Sequence, residues 1–563
     1  MVSKKKKKNK IPVWPVLAVV AVLLAVAVLT EVRPSKEQAD LDQYFASRSG
    51  SLAVITNDVL SHEDAFVEEG AVYLSASYLL TVNARFYLDE TEGLLLYTLP
   101  GETLRADRQT MFAGHPVLRS QSGVLYVLMD YVSQYTDMHW KLYTGPDRLV
   151  IRTDFGEQKI LTAEEDVIIR KEARVSSPIM TTLAAGQKVH LLKEQSKWYD
   201  VVTEDGIEGY ISKTGRMTAG KESLSHTYEA PAYEMVSTRQ DICMVWHQIA
   251  YRDVDNGKLG ELMTEATGVT TVSPTWFFLN DGEGGFDNAS SRAYVDEAHA
   301  MGLQVWALVN NMDYEIYGDR LKAVMNETTK RTRLVQGLVE AAAAVGADGI
   351  NVDIESLPSD AGRGFVQFIR ELSLACHGKG MVLSVDNYVP SAWTAHYDRT
   401  EQGIFADYLI IMGYDEHYQG SEAGSSASLD FVQTGVEKTL AQVPAQKVIL
   451  GVPFFTRLWK GSGAKPDSSL LNMNAVDELL AKYGVQPVWD GTSGQNYAEF
   501  TMDGTNARVW IEDAESMAAR LSAVRSQKLA GLSAWRLGME TADIWTVFER
   551  YFNGADLSQT ASS

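Results

Sequence analysis

The stretch Asp348-Gly-Ile-Asn-Val-Asp-Ile-Glu355 decides the fold. Ile350, Val352 and Ile354 alternate with Asn351, Asp353 and Glu355. That is the period-2 pattern of a strand, so the three polar side chains share one face at intervals of about 6.6 Å. The block just before it, TRLVQGLVEAAAAVG, spaces its apolar residues as a helix does and stops at Gly346. Working outward, the same alternation repeats. Apolar strand-like runs fall at Cys243–Gln248, Val272–Phe278, Gln304–Val309, Gly349–Ile354, Val382–Val385, Tyr408–Met412, Val448–Val452 and Leu532–Trp535. Helical stretches such as RAYVDEAHAMG separate them. Eight buried strands alternating with helices from 233 to 552 predict an α/β fold, a (β/α)8 barrel. The seventh-to-eighth interval is too long for one helix. It carries a hairpin, Tyr497–Thr501 and Arg508–Ile511, around Asp503-Gly504, so an inserted α+β lobe is expected at about 456–515.

Three polar residues on one face of a barrel strand are costly, because a buried carboxylate must be paired or protonated. They end at the strand's C-terminal edge, where barrel active sites lie, which points to catalysis rather than to a rim salt bridge.

The string DGINVDIE resembles the DxxDxDxE signature of glycoside hydrolase family 18, which includes chitinases and peptidoglycan N-acetylglucosaminidases. Further matches follow in order: MGYD at Met412 to Asp415, GVPFF on the seventh strand and GLSAWRLG, with Trp535, on the eighth. The lobe ending in VWIEDAESM resembles the spore-cortex-lytic branch. The resemblance implies hydrolysis of β-linked N-acetylglucosamine with no cofactor and no metal, assisted by the substrate's own acetamido oxygen and an exception to the two-carboxylate retaining scheme. It implies Glu355 as the acid and then the base, Asp353 as the orienting carboxylate, and Tyr414 as a donor to the acetamido oxygen. Trp535 is implied as the apolar floor, Asp415 and Met412 as lining of the same subsite, and Asp348 with Gly349 as structural. The family's usual middle acid is Asn351 here. An amide at that position is expected to spare Asp353 a like-charged neighbour and to give it an N–H donor. Trp276, Trp306, Trp393 and Trp459 lie near strand ends or loops, as sugar-stacking platforms or as core. His247 and His417 lie at rim positions, where hydrogen-bonded structural roles are expected.

Upstream, residues 51–155 hold an internal repeat: Tyr73, Tyr78 and Tyr87 align with Tyr126, Tyr131 and Trp140 at an offset of 53. Each copy reads as strand, helix, turn and closing strand. The repeat resembles the copper-amine-oxidase N-terminal-like module, with no metal-ligand spacing among His62, His115 and His139. Residues 160–216 form a small all-β unit similar to bacterial SH3-like domains. The similarity rests on the small-polar-Pro turn, Leu-x-x-Gly, a loop-closing Trp198, and D-G-x-x-G-Tyr210. Trp198 and Tyr210 are expected in its core, with contact to a peptidoglycan peptide, which such domains often bind, as the alternative that the resemblance implies. Residues 217–232 read as a linker, 31–50 as a stalk and 553–563 as a flexible tail.

The chain of 563 residues is 45% apolar and 22% charged, which excludes a mainly disordered protein. Its net charge of −22 argues against a nucleic-acid binder. Cys243 and Cys376 exclude a disulfide scaffold and are expected as buried free thiols. Lysines crowd a basic tail at 1–10, and the segment 11–30 is apolar and long enough to span a bilayer. The positive-inside rule then places the tail in the cytoplasm and the rest outside the cell, single-pass at the membrane. A cleaved signal peptide at Ala25-Val-Ala27 competes, but Ala27 lies inside the apolar stretch rather than after it. The expected partners are peptidoglycan or a chitin-like polysaccharide, and the membrane through that helix. The rival from another class is a catalytically silent glycan-binding wall protein on the same barrel.

Overall fold

The structure is a computed structural model that describes residues 33–46, 52–252 and 255–557. The basic tail, the expected membrane segment 11–30 and the last six residues lie outside the described residues. Among the described residues no helix is long and apolar enough to cross a membrane. The chain divides into two compact units, one of residues up to Phe86 with Ala106–Ala230, the other of Tyr87–Arg105 with the chain from Pro231 onward.

In the second unit eight parallel strands close on themselves. They are β1 (Ile242–His247), β2 (Thr271–Leu279), β3 (Gln304–Asn310), β4 (Gly349–Asp353), β5 (Val382–Tyr388), β6 (Tyr408–Met412), β7 (Val448–Pro453) and β8 (Gly531–Trp535). Each pairs with the next, β8 pairs with β1, and β1 with β2. Strand parity sorts the side chains. Val245, Val305, Ile350, Val352, Leu383, Val385, Leu409, Ile411, Leu450 and Leu532 face the surrounding helices in one large core. Met244, Trp246, Trp306, Leu308, Tyr408, Ile410 and Ile449 fill the barrel's interior. Gly349 makes room for that filling: a Cβ there would lie 2.8 Å from the Trp306 ring and 2.7 Å from the Val382 carbonyl oxygen. Between β7 and β8 a five-stranded antiparallel sheet and the helix Met473–Tyr483 form the inserted lobe, spanning Phe455–Ile511.

The same unit claims a segment that the sequence repeat had assigned elsewhere. Residues Tyr87–Arg105, from the first copy's closing hairpin, group with the barrel. Asp89 accepts from the backbone N–H and hydroxyl of Thr328 at 2.6 and 2.7 Å. Glu92 accepts from the backbone N–H of Thr329 at 2.7 Å. The helix Thr328–Val345, whose own N-cap Glu327 makes no side-chain cap bond, is thus capped from outside.

The first unit pairs the two repeat copies directly. Ala71–Ser75 and Val124–Leu128, each leading into a helix, run antiparallel, with Leu128 opposite Tyr73. The second copy's hairpin, His139–Tyr143 and Arg148–Arg152, joins their seven-stranded sheet. The SH3-like strands form a second seven-stranded sheet, and residues of both sheets share one core, including Ile55, Val150, Val167, Ile169 and Ile211. Gly209 of the D-G-x-x-G motif has no room for a side chain, since a Cβ would lie 2.6 Å from the Arg170 carbonyl oxygen. Three expectations change here. The described part of the stalk is docked rather than free: Phe45 is buried and Ala39 bonds the Ile179 carbonyl at 2.7 Å. The expected linker begins as a strand, Met217–Glu222, paired with Gln158–Ala163. Trp198 and Tyr210 are only half-buried, because the core of that sheet is aliphatic.

Candidate active site

The interior face of β4 carries Gly349, Asn351 and Asp353, and the chain delivers Glu355 to the rim two residues beyond the strand. Asn351 and Asp353 are buried and Glu355 is half-buried. Asp348 stands at the strand's start, where its carboxylate accepts from the Val305 N–H at 2.8 Å and meets His299 at 2.9 Å.

Glu355 is held on all sides. Asn311, fully buried just past β3, accepts from the Glu355 N–H at 2.9 Å and donates to the Glu355 carbonyl at 3.0 Å. The Tyr397 hydroxyl donates to the Ile354 carbonyl at 3.1 Å. The Tyr388 hydroxyl, at the end of β5, donates to the Glu355 carboxylate at 2.6 Å. Burial pushes the Glu355 carboxyl above the usual carboxylate range; the Tyr388 hydrogen bond opposes that shift and the Asp415 charge adds to it. Asp353 is pushed well above its ordinary value, by burial first and then by the charges of Glu355 and Asp386. Its buried Oδ1 has no hydrogen-bond partner.

Asn351 is saturated. Its amide oxygen accepts from Trp246 Nε1 at 2.9 Å and from Ser273 Oγ at 3.1 Å. Its Nδ2 donates to Ser384 Oγ at 3.0 Å and to Asp386 Oδ1 at 2.8 Å. Because an indole N–H only donates, Trp246 fixes which way the amide points. This overturns the expected N–H donor to Asp353. Same-face neighbours on a strand stand about 6.6 Å apart, whereas the adjacent strand is about 4.8 Å away.

Tyr414 lies beyond β6 and packs edge-on against Trp246 and Phe455, with ring centroids 6.5 and 6.0 Å away. Burial, then Asp353, Asp386, Glu355 and Asp415, holds its hydroxyl protonated. Trp535 ends β8 half-buried, 5.9 Å from the Trp246 ring. Asp415 is paired with Arg457 of the lobe at 3.2 Å. Met412 has the interior parity of Tyr408 and Ile410 and is buried at the end of β6. Glu355, Asp353, Tyr414, Asp415, Met412 and Trp535 therefore gather at the C-terminal mouth.

Trp276 does not join them. Its parity turns it out of the barrel into the helix layer, where it is fully buried, bonds Asn256 at 2.8 Å and packs on Tyr294. The interior positions of β2 go to residues such as Ser273 instead. Trp306 fills the barrel against Tyr408, and Trp459 is buried with its N–H on the Gly424 carbonyl. Of these four tryptophans only Trp393 is exposed, at 64%, with its ring 5.2 Å from that of Tyr388. His247 bonds the Tyr294 hydroxyl at 2.9 Å and burial pushes it down to about 4. His417 bonds the Ser425 carbonyl at 2.9 Å. Cys243 and Cys376 are buried free thiols. Asn311, Tyr388, Tyr397 and Asp386 escaped sequence reasoning. Tyr388 and Asp386 share one face of a readable strand, and that alternation was the one available signal.

The model for the glycosyl hydrolases family 18 matches residues 284–540, and that for the bacterial SH3 domain matches residues 165–215. The uncharacterized glycosylase YvbX of Bacillus subtilis is 26% identical over 44% of this chain and 75% of its own length. The cortical fragment-lytic enzyme of the same organism is 24% identical over 44% of this chain and 59% of its own length. The crystal structure of a chitinase from Chromobacterium violaceum superposes with a TM-score of 0.50 at 26% identity, covering 55% of this chain and 98% of that one.

Proposed function

We propose, from the premise that the chain belongs to glycosyl hydrolase family 18 through residues 284–540 and is a glycosidase, that it cleaves β-1,4-linked N-acetylglucosamine in peptidoglycan. The observation that carries this reading is the Glu355 carboxyl, raised by burial above the usual carboxylate range and held by the Tyr388 hydroxyl at 2.6 Å over a barrel mouth floored by Trp246 and Trp535. A carboxyl raised toward the working pH keeps more of its acid form, which can hand its proton to the leaving glycosidic oxygen. The substrate's acetamido oxygen then closes on the anomeric carbon, with Asp353 supporting the acetamido N–H and Tyr414 donating to the oxygen. Glu355, now a carboxylate, takes a proton from the water that opens the ring, so the anomeric configuration is retained.

A chitin-like polymer carries the same bond, and architecture favours the wall. An SH3 domain precedes the barrel, one relative is a cortical fragment-lytic enzyme, and a basic tail with an apolar segment suits anchoring beside the wall. The test is mass spectrometry of digests of purified peptidoglycan and chitin by the wild type and Glu355→Gln. New N-acetylglucosamine reducing ends are expected, with release falling at least about 100-fold in the variant. Equal release by both proteins would remove the enzymatic reading and leave a glycan binder. Recovery of the full-length protein with membranes, and of a chain lacking residues 1–30 in the soluble fraction, tests the anchor.

A further inference from the structure

The register of β4 and β5 pairs Asn351 with Ser384 and Val352 with Val385. One residue further, it sets Asp353 beside Asp386. Both side chains have the interior parity and both are buried, at 6% and 3% exposure. Neighbouring strands put such residues about 4.8 Å apart. Among the described residues no Lys, Arg or His lies within ion-pair distance of either carboxyl. The polar groups that do face the pair are Asn351 and Trp246 on Asp386, and Glu355, Tyr414, Tyr397 and Tyr317 around its mouth side. Arg457 is committed to Asp415.

Two buried carboxyls side by side without a cation cannot both ionise, because each charge raises the cost of the other. Asp386 has a fixed donor in Asn351 Nδ2 at 2.8 Å, whereas Asp353 Oδ1 has none. We propose that Asp353 and Asp386 form a carboxyl dyad across two strands that holds a single proton between them, with Asn351 as the amide that fixes Asp386 in place. The acid absent from position 351 thus has a counterpart on the neighbouring strand, one layer higher. Asp386 acts as a positioning residue: the shared proton between the two carboxyls supplies the partner that Asp353 Oδ1 lacks, while the Asn351 donor favours the single negative charge on Asp386. Burial, chiefly, pushes both carboxyls up, Asp353 well above its ordinary value and Asp386 to about 8, in keeping with one proton held by the pair at neutral pH.

This deepens the glycosidase reading and rests on it for its role in turnover, but its decisive test does not depend on turnover. Infrared spectra are taken as a function of pH in a Glu355→Gln background, which removes the carboxyl band of Glu355 itself. The band of a buried protonated carboxylic acid is expected in Glu355→Gln at neutral pH. The pH at which that band is lost is expected to fall in Glu355→Gln/Asp386→Asn, where burial alone, without a like-charged neighbour, holds the Asp353 proton. It should rise again in Glu355→Gln/Asp386→Asn/Asn351→Asp, which moves the second carboxyl back onto β4. A band that titrates unchanged in Glu355→Gln/Asp386→Asn, or that stays lowered in a folded triple variant, would overturn the dyad. Asp386→Asn is nearly isosteric and keeps an acceptor for Asn351, so folding is preserved. With Glu355 restored, kcat of Asp386→Asn is expected to fall about tenfold and to recover with Asn351→Asp. Wild-type kcat in Asp386→Asn would overturn its role in the reaction, while an inactive wild type would overturn the glycosidase reading instead.

Discussion

A single phenol governs the titration of the acid. The Tyr388 hydroxyl bonds the ionised form of Glu355, so it pulls the carboxyl down against the burial that raises it. Removing it with Tyr388→Phe should raise the Glu355 pKa further. A general acid must be protonated to work, so the alkaline limb of the kcat/KM profile should move to higher pH; an unmoved limb would break the link between the two groups. Asn351→Asp works in the opposite sense on the fold. It deletes the N–H donors to Ser384 and Asp386 and buries a further carboxyl beside one already present. The expected loss is about 1–3 kcal/mol. A buried acid with a raised folded pKa costs stability as pH climbs through the interval between its unfolded and folded values. The melting-temperature gap to wild type should therefore widen from pH 5 to pH 8. At this scale Glu355, Asp353 and Asn351 were readable because a motif of alternating polar residues on a buried strand is costly to keep. Asp386 left only the alternation of Ser384, Asp386 and Tyr388 as a signal, and Asn311 left none, since an Asn pair ending an apolar run looks the same whether it faces the barrel or a turn.

Elements were easier to read than their ownership. Parity sorted the eight strands, yet β2 shows its limit: Thr271, Ser273 and Thr275 alternate with Val272 and Trp276, but the run Trp276–Leu279 is wholly apolar and a register irregularity between Thr275 and Phe277 breaks the alternation. The N-terminus of helix Thr328–Val345 gives the same lesson. Nothing local caps it, and the acids that do so, Asp89 and Glu92, come from more than two hundred positions upstream. Replacing a cap by alanine costs about 1 kcal/mol in ordinary cases. Asp89→Ala removes two bonds to a buried Thr328 and should cost about 1–2 kcal/mol in thermal unfolding of the barrel. Glu90→Ala, the next residue and an exposed one, serves as control and should change nothing.

At the scale of the molecule, the compact unit that contains the barrel includes Tyr87–Arg105. Tyr87 donates to the Asn326 carbonyl at 2.8 Å and stacks with the buried Arg331, whose guanidinium pairs with Glu371. Gln367 bonds Thr98 at 3.2 Å. A chain trimmed to 231–563, the natural cut from sequence, therefore exposes Arg331 and leaves a helix uncapped. It should melt well below the full chain in calorimetry; equal melting temperatures would show the segment to be dispensable. The barrel, its inserted lobe and the SH3-like unit were legible from sequence, because strand and helix periods are set by backbone geometry and each run must bury its own apolar face. The repeat was legible for the same reason. Only the tertiary structure decided that one hairpin of that repeat joins the barrel's unit, that Trp276 faces outward, and that a second carboxyl stands next to Asp353. Each of those depends on which strands lie side by side, and a neighbour across a sheet at about 4.8 Å leaves no trace in the spacing of residues along the chain.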